Sequence, residues 1–153
     1  VHHLLCPEVP PGLSQPEIRP LKWLANSVSK GGYMSKVLVV YHSFTGKCQK
    51  LAEAAAEGAR SAGSDAVVKD AAAVTAADPS AADAVIIGTP QPFGSVAGET
   101  KKPFERLWPE REKVGTGKPL GAFVCRGNVD TAGSFEFLRS GADASGWSER
   151  ASG

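Results

Sequence analysis

Several features that would assign the chain at once to a special class are scarce or missing. Methionine occurs once, at Met34, and cysteine three times, at Cys6, Cys48 and Cys125. No C-x-x-C pair exists, and His2, His3 and His42 do not gather with the cysteines, so no zinc or other metal site is expected. No apolar run approaches the ~18 residues of a membrane-spanning helix. Charge of one sign is lacking too: 17 Lys and Arg stand against 16 Asp and Glu, a formal net charge of +1. That balance offers no electrostatic reason to expect nucleic acid or an anionic membrane as partner. An odd cysteine count without a secretory signal predicts free thiols in a reducing compartment, hence a cytoplasmic location.

What is present suits one ordinary domain: 153 residues, 42% of them hydrophobic and 22% charged, enough apolar surface for a core. The chain divides at Met34. Pro7, Pro10, Pro11, Pro16 and Pro20 crowd the start, and no period of 2 or 3.6 is sustained there. Lys30-Gly31-Gly32-Tyr33-Met34 also back-translates to a purine-rich stretch ahead of ATG, like a bacterial ribosome-binding site. Residues 1–33 are therefore expected to be a disordered extension, on this reading translated upstream sequence, and residues 34–153 the domain.

From Met34 onward strands and helices alternate. Lys36–Tyr41 is a continuous apolar run, as in a strand buried on both faces of a parallel sheet. Lys47–Ala62 is a helix pattern with Leu51, Ala55, Ala59 and Ala62 as its apolar face and Gly63 as its stop. Ala66–Lys69 reads as a second strand, Thr75–Ala82 as a short turn or helix, and Ala84–Gly88 as a third strand. Phe104, Leu107 and Trp108 share a helical face, in a helix that starts near Lys102 or kinks at Pro103. Leu120–Cys125 is a fourth strand and Ser134–Ala144 a fourth helix. This order implies an α/β fold with a doubly wound parallel sheet and right-handed crossovers.

Ligands in such sheets bind beyond the carboxyl ends of the strands, so the residues that follow each strand carry the chemistry. Ser43-Phe44-Thr45-Gly46-Lys47-Cys48 leads from the first strand into the helix. Two hydroxyls and a glycine there can hold a phosphate on the unpaired N–H groups of a helix N-terminus; the plainer alternative is an N-cap by Ser43 or Thr45. Neither G-x-G-x-x-G nor G-x-x-x-x-G-K-[ST] occurs. After the third strand, Thr89–Gly98 places Phe93 between prolines and glycines, where it either faces a planar ligand or folds into the core. His42 is a candidate proton donor or a plain structural histidine. Cys48 at a helix N-terminus is a candidate reactive thiol, Cys125 a packing residue, and Trp108 a core or oligomer contact.

Ser43–Cys48 resembles the flavodoxin phosphate loop, commonly [ST]-x-T-G-x-T. Gly88–Glu99, followed by Lys102–Trp108, is similar to the flavodoxin-type NAD(P)H:quinone oxidoreductases, and so is Gly117–Val124. The resemblance covers roughly residues 35–130 and implies a flavodoxin-like three-layer sandwich that binds FMN. On it, Ser43, Phe44, Thr45, Gly46, Lys47 and Cys48 hold the phosphate. Pro90, Gln91, Pro92, Phe93, Gly94 and Ser95 hold the isoalloxazine ring, and Arg126, Gly127 and Asn128 its pyrimidine edge. Cys48 stands where the family has threonine, and Lys47 brings a cation to the loop. Trp147–Ser152 has room only for a stub of the family's fifth strand, so either four full strands close the fold or the gene is truncated or frame-shifted. A receiver domain shares the topology but needs acidic residues where Tyr41 and His42 stand.

The implied activity is an FMN-dependent oxidoreductase that takes reducing equivalents from NADH or NADPH and passes them to a quinone or similar small acceptor. No catalytic side chain is required, because the flavin carries the chemistry. A homo-oligomer is the expected assembly. The alternatives are a flavodoxin-type electron carrier or a degenerate domain that binds no flavin. Against the carrier stand the balanced charge and the single loop aromatic, Phe93.

Overall fold

The run Lys36–Tyr41 forms β1, with Val37, Leu38, Val39 and Val40 all buried. In the computed structural model, residues 35–114, 117–126, 132–144 and 148–149 are described. The expected boundary at Met34 and the extension 1–33 lie outside them.

After β1 follow α1 (Lys47–Ser61), β2 (Asp65–Asp70), α2 (Ala77–Ala81), β3 (Ala84–Pro90), α3 (Gly98–Leu107), α4 (Arg111–Val114), β4 (Pro119–Cys125), α5 (Ala132–Ala144) and β5 (Ser148–Glu149). The strands form one sheet in the order β2-β1-β3-β4-β5, and every neighbouring pair is parallel. β5 is a two-residue stub in which Ser148 pairs with Pro119 and Glu149 with Leu120. The order reverses direction between β1 and β3, which sets the ligand-binding end at the loops after those strands.

Each sheet face carries its own core. On one, Leu38, Val40, Val85, Ile87 and Leu120 pack with Val74, Val96, Val114 and Leu138, and Phe104 and Phe137 lie against them. On the other, Val37, Val39, Ala66 and Ala84 meet Ala52, Ala56 and Ala59 of α1. Here the structure corrects the expected apolar face of α1. The buried stripe is Cys48, Ala52, Ala56 and Ala59, whereas Leu51 is half exposed. Short alanine side chains let the helix lie close to the sheet, and a leucine would hold it off.

α3 begins at Gly98, earlier than expected, and runs through Pro103. Pro103 is the sixth residue of this helix, so it removes one interior bond, that to the carbonyl of Glu99, and burial of its ring offsets part of that cost. Among the described residues, no helix is long and apolar enough to cross a membrane.

Candidate functional site

β1 ends at Tyr41, and the chain then turns through Ser43–Gly46 into α1. Gly46 is the N-cap residue, in a left-handed conformation (φ 80°), and no side chain caps this helix. Neither Ser43 nor Thr45 therefore acts as the expected plain cap. The hydroxyl of Ser43 is buried without a hydrogen-bond partner. The first turn of α1 contains no acidic residue and begins with exposed Lys47. A cation there opposes the helix dipole, and an anion held by the free amides would satisfy dipole, lysine and hydroxyl together. Cys48, in the same turn, is 2% exposed.

The loop after β3 is pinned at its base. The amide of Ala97 donates to Thr89 Oγ1 at 3.2 Å and to the carbonyl of Pro90 at 3.3 Å. The hydroxyl of Thr100 donates to Thr89 Oγ1 at 2.9 Å, and that of Thr89 to Pro90 O at 2.8 Å. Thr89 and Thr100 are both buried. Sequence reasoning assigned neither a role: Thr89 read as the first loop residue, yet β3 continues through it. The signal was a threonine directly after an apolar strand and before proline, where its hydroxyl is the nearest acceptor for the returning chain.

From that base the tip projects outward. Phe93 (φ 54°) and Gly94 (φ 75°) are left-handed, and the Phe93 ring is fully exposed. It is not folded into the core. Phe44, on the neighbouring loop, is 66% exposed and lies perpendicular to the His42 ring at 4.8 Å between centroids. The amide of His42 donates to Gly88 O at 3.1 Å, and its Nε2 is buried without a partner.

The third predicted segment joins these two through Cys125. The amide of Gln91 donates to the carbonyl of Cys125 at 3.1 Å. Cys125 is bonded by a disulfide to Cys48, their Cα atoms 6.1 Å apart. The expectation of free thiols is thus corrected for these two residues, which sequence distance hid because 77 positions separate them. Cys125 is likewise a cross-link rather than mere packing. The Ser43–Cys48 loop, the loop after β3 and the end of β4 are therefore brought together, with exposed Arg126 beside them. Gly127 and Asn128 lie outside the described residues.

Away from this edge, Trp108 is half exposed, with the Arg111 guanidinium 4.7 Å from its ring. It borders a groove of about 210 Å³ between α3 and α5 that Phe104 and Phe137 also line. Trp108 is not a core residue. No group of three or more His, Cys, Asp or Glu able to hold a metal occurs among the described residues.

A parallel sheet in this order, with an uncapped helix at its switch point and an exposed aromatic loop beside it, defines an α/β protein of the doubly wound type. The chain belongs to the flavodoxin family, whose model matches residues 39–152. It is 36% identical over 105 residues to an NAD(P)H dehydrogenase (quinone) of Gluconacetobacter diazotrophicus, covering 54% of this chain and 53% of that one. To a flavodoxin of Aquifex aeolicus it is 39% identical over 82 residues, covering 50% and 44%. The chain thus spans about half the length of the curated relatives it matches. Among solved structures, a flavodoxin, WrbA-like protein from Agrobacterium tumefaciens superposes with a TM-score of 0.62 at 27% identity, covering 74% of each chain. Megasphaera elsdenii flavodoxin shares the fold with a TM-score of 0.64 at 21% identity, covering 74% and 80%.

Proposed function

We propose that the chain is an FMN-dependent oxidoreductase of the NAD(P)H:quinone type. The observation that carries the reading is the uncapped N-terminus of α1, framed by Ser43–Gly46 and holding a buried, unpartnered Ser43 hydroxyl. Bound FMN would supply the transfer of reducing equivalents from NADH or NADPH to a quinone or similar small acceptor.

The chain's own residues bind and orient. The amides of Lys47 and Cys48 and the hydroxyls of Ser43 and Thr45 hold the phosphate, and Lys47 balances its charge. Pro90–Ser95, set by the Thr89–Thr100 hydrogen bonds, offer the Phe93 ring and backbone amides to the isoalloxazine, and Arg126–Asn128 its pyrimidine edge. His42, whose Nε2 is buried without a partner, stands on the loop after β1 as the candidate to hold a proton beside that site. Assembly with further copies belongs to the same reading, as the resemblance implies it; the cytoplasmic location was expected from free thiols, a ground that the Cys48–Cys125 bond removes for two of the three cysteines.

Thr45→Ala tests the loop. A hydroxyl bond to a charged acceptor contributes roughly 1.5–3 kcal/mol, so the variant should bind FMN about one to two powers of ten more weakly. Riboflavin, which has no phosphate, should bind both proteins equally in fluorescence titration of the apoprotein. If Thr45→Ala weakens riboflavin as much as FMN, the loop does not read phosphate. Steady oxidation of NADPH with benzoquinone by the protein alone separates the enzyme from an electron carrier.

A further inference from the structure

Cys48 and Cys125 link two halves of the candidate site that hold different parts of one ligand. Their Cα separation of 6.1 Å lies inside the range a disulfide spans. Cys48 occupies the first turn of α1, among the amides assigned to phosphate. Cys125 ends β4, and its carbonyl anchors the ring loop through Gln91. We propose that this pair is a redox-active site that controls how tightly FMN is held, with small dithiols as its reductants. The inference rests on the flavin reading given above.

The chemistry follows from placement. Cys48 is 2% exposed, while Cys125 is only partly buried, so an incoming thiolate meets the Cys125 sulfur first. Attack there forms a mixed disulfide on Cys125 and expels Cys48 as a thiolate. The amide end of α1, with no acid in its first turn and Lys47 adjacent, favours that leaving group. The second thiol of the dithiol then displaces Cys125 and departs as a cyclic disulfide. One S–S bond breaks and another forms, two electrons pass to the protein, and the dithiol's two protons finish on the cysteine sulfurs or in solvent.

Reduction changes the site in two ways. The first turn of α1 is no longer tied to β4, so the phosphate amides must be ordered on binding. In addition, a Cys48 thiolate competes with phosphate for the same helix end. Both effects weaken FMN. By linkage, bound FMN must favour the oxidised pair by the same factor.

The full-length apoprotein is poised in reduced or oxidised dithiothreitol, its thiols are counted after denaturation, and each form is titrated with FMN by fluorescence. The oxidised form should show one free thiol, Cys6, and the reduced form all three. FMN should bind the oxidised form about tenfold more tightly, and saturating FMN should lower the midpoint potential of the pair by about 30 mV. Cys125→Ser should bind FMN equally at either poise. Three free thiols in the oxidising buffer, or equal FMN affinity of the two wild-type forms, overturns the proposal. If the pair oxidises but neither form binds FMN, the flavin reading fails, and control of flavin fails with it.

Discussion

Gly88 shows how one missing side chain can shape the site. It lies on β3 opposite Phe123 of β4, and a Cβ built there would fall inside the Phe123 ring. The same residue accepts the amide of His42 through its carbonyl, so its position also sets where the chain leaves β1. The ring packs against the core cluster that includes Val39 and Ala56, so making room for the methyl group disturbs that packing. Gly88→Ala should therefore cost about 1–3 kcal/mol, the usual range for overpacking a filled core. Combined with Phe123→Ala, most of that added cost should vanish, a coupling readable from denaturant midpoints of the two single variants and the double. Strict additivity would show that the ring does not exclude the side chain. Gly46 is required for another reason: nothing lies near its absent Cβ, but its φ of 80° is one that L side chains rarely adopt.

At the scale of elements, the loop after β3 is held by its base rather than its tip. Thr89 Oγ1 receives both the amide of Ala97 and the hydroxyl of Thr100, closing the loop onto the start of α3. The exposed tip at Phe93 makes no such anchor, and so depends on this closure for its aim. Thr89→Val keeps the shape but removes the acceptor, leaving buried donors with poorer partners. A loss of about 1–3 kcal/mol is expected, together with faster hydrogen exchange at the Ala97 amide. Unchanged exchange there would mean that the Pro90 carbonyl alone secures the loop.

For the whole molecule, stability against acid has an identifiable contributor far from the site. Asp78 on α2 is bonded to Lys69 of β2 and to the amide and hydroxyl of Thr75. Burial pushes its carboxyl up, but the bonds from Lys69 and Thr75 together outweigh burial and hold its pKa below the usual 3.8. Because the folded-state pKa is the lower, this stabilisation is complete above about 3.8 and is lost as pH falls through the folded value. Asp78→Asn should melt below wild type at pH 7, and the gap should close as pH falls below the ordinary carboxylate range. A gap of constant size down to pH 2 would remove ionisation of Asp78 as its cause.

The order of elements was legible in the chain because each strand is a short β-rich apolar run and each connection carries its own punctuation, such as Gly63 after α1. The turns after β1 and β3 were legible for the same local reason: the backbone freedom of Gly46 and Gly94, and hydroxyls beside a helix start, are properties of neighbouring residues. The buried face of α1 was not, since Leu51 is more apolar than any alanine and only the closeness of the sheet selects Ala52, Ala56 and Ala59. The strand that carries Thr89 into the core, and the bond between Cys48 and Cys125, were equally beyond reach. Periodicity speaks of residues a few positions apart, whereas these depend on which strands lie side by side. The sequence by itself determined the alternating α/β plan and the loops that follow its strands. Tertiary structure alone decided which side chains hold those loops together, because a parallel sheet makes neighbours of residues far apart along the chain.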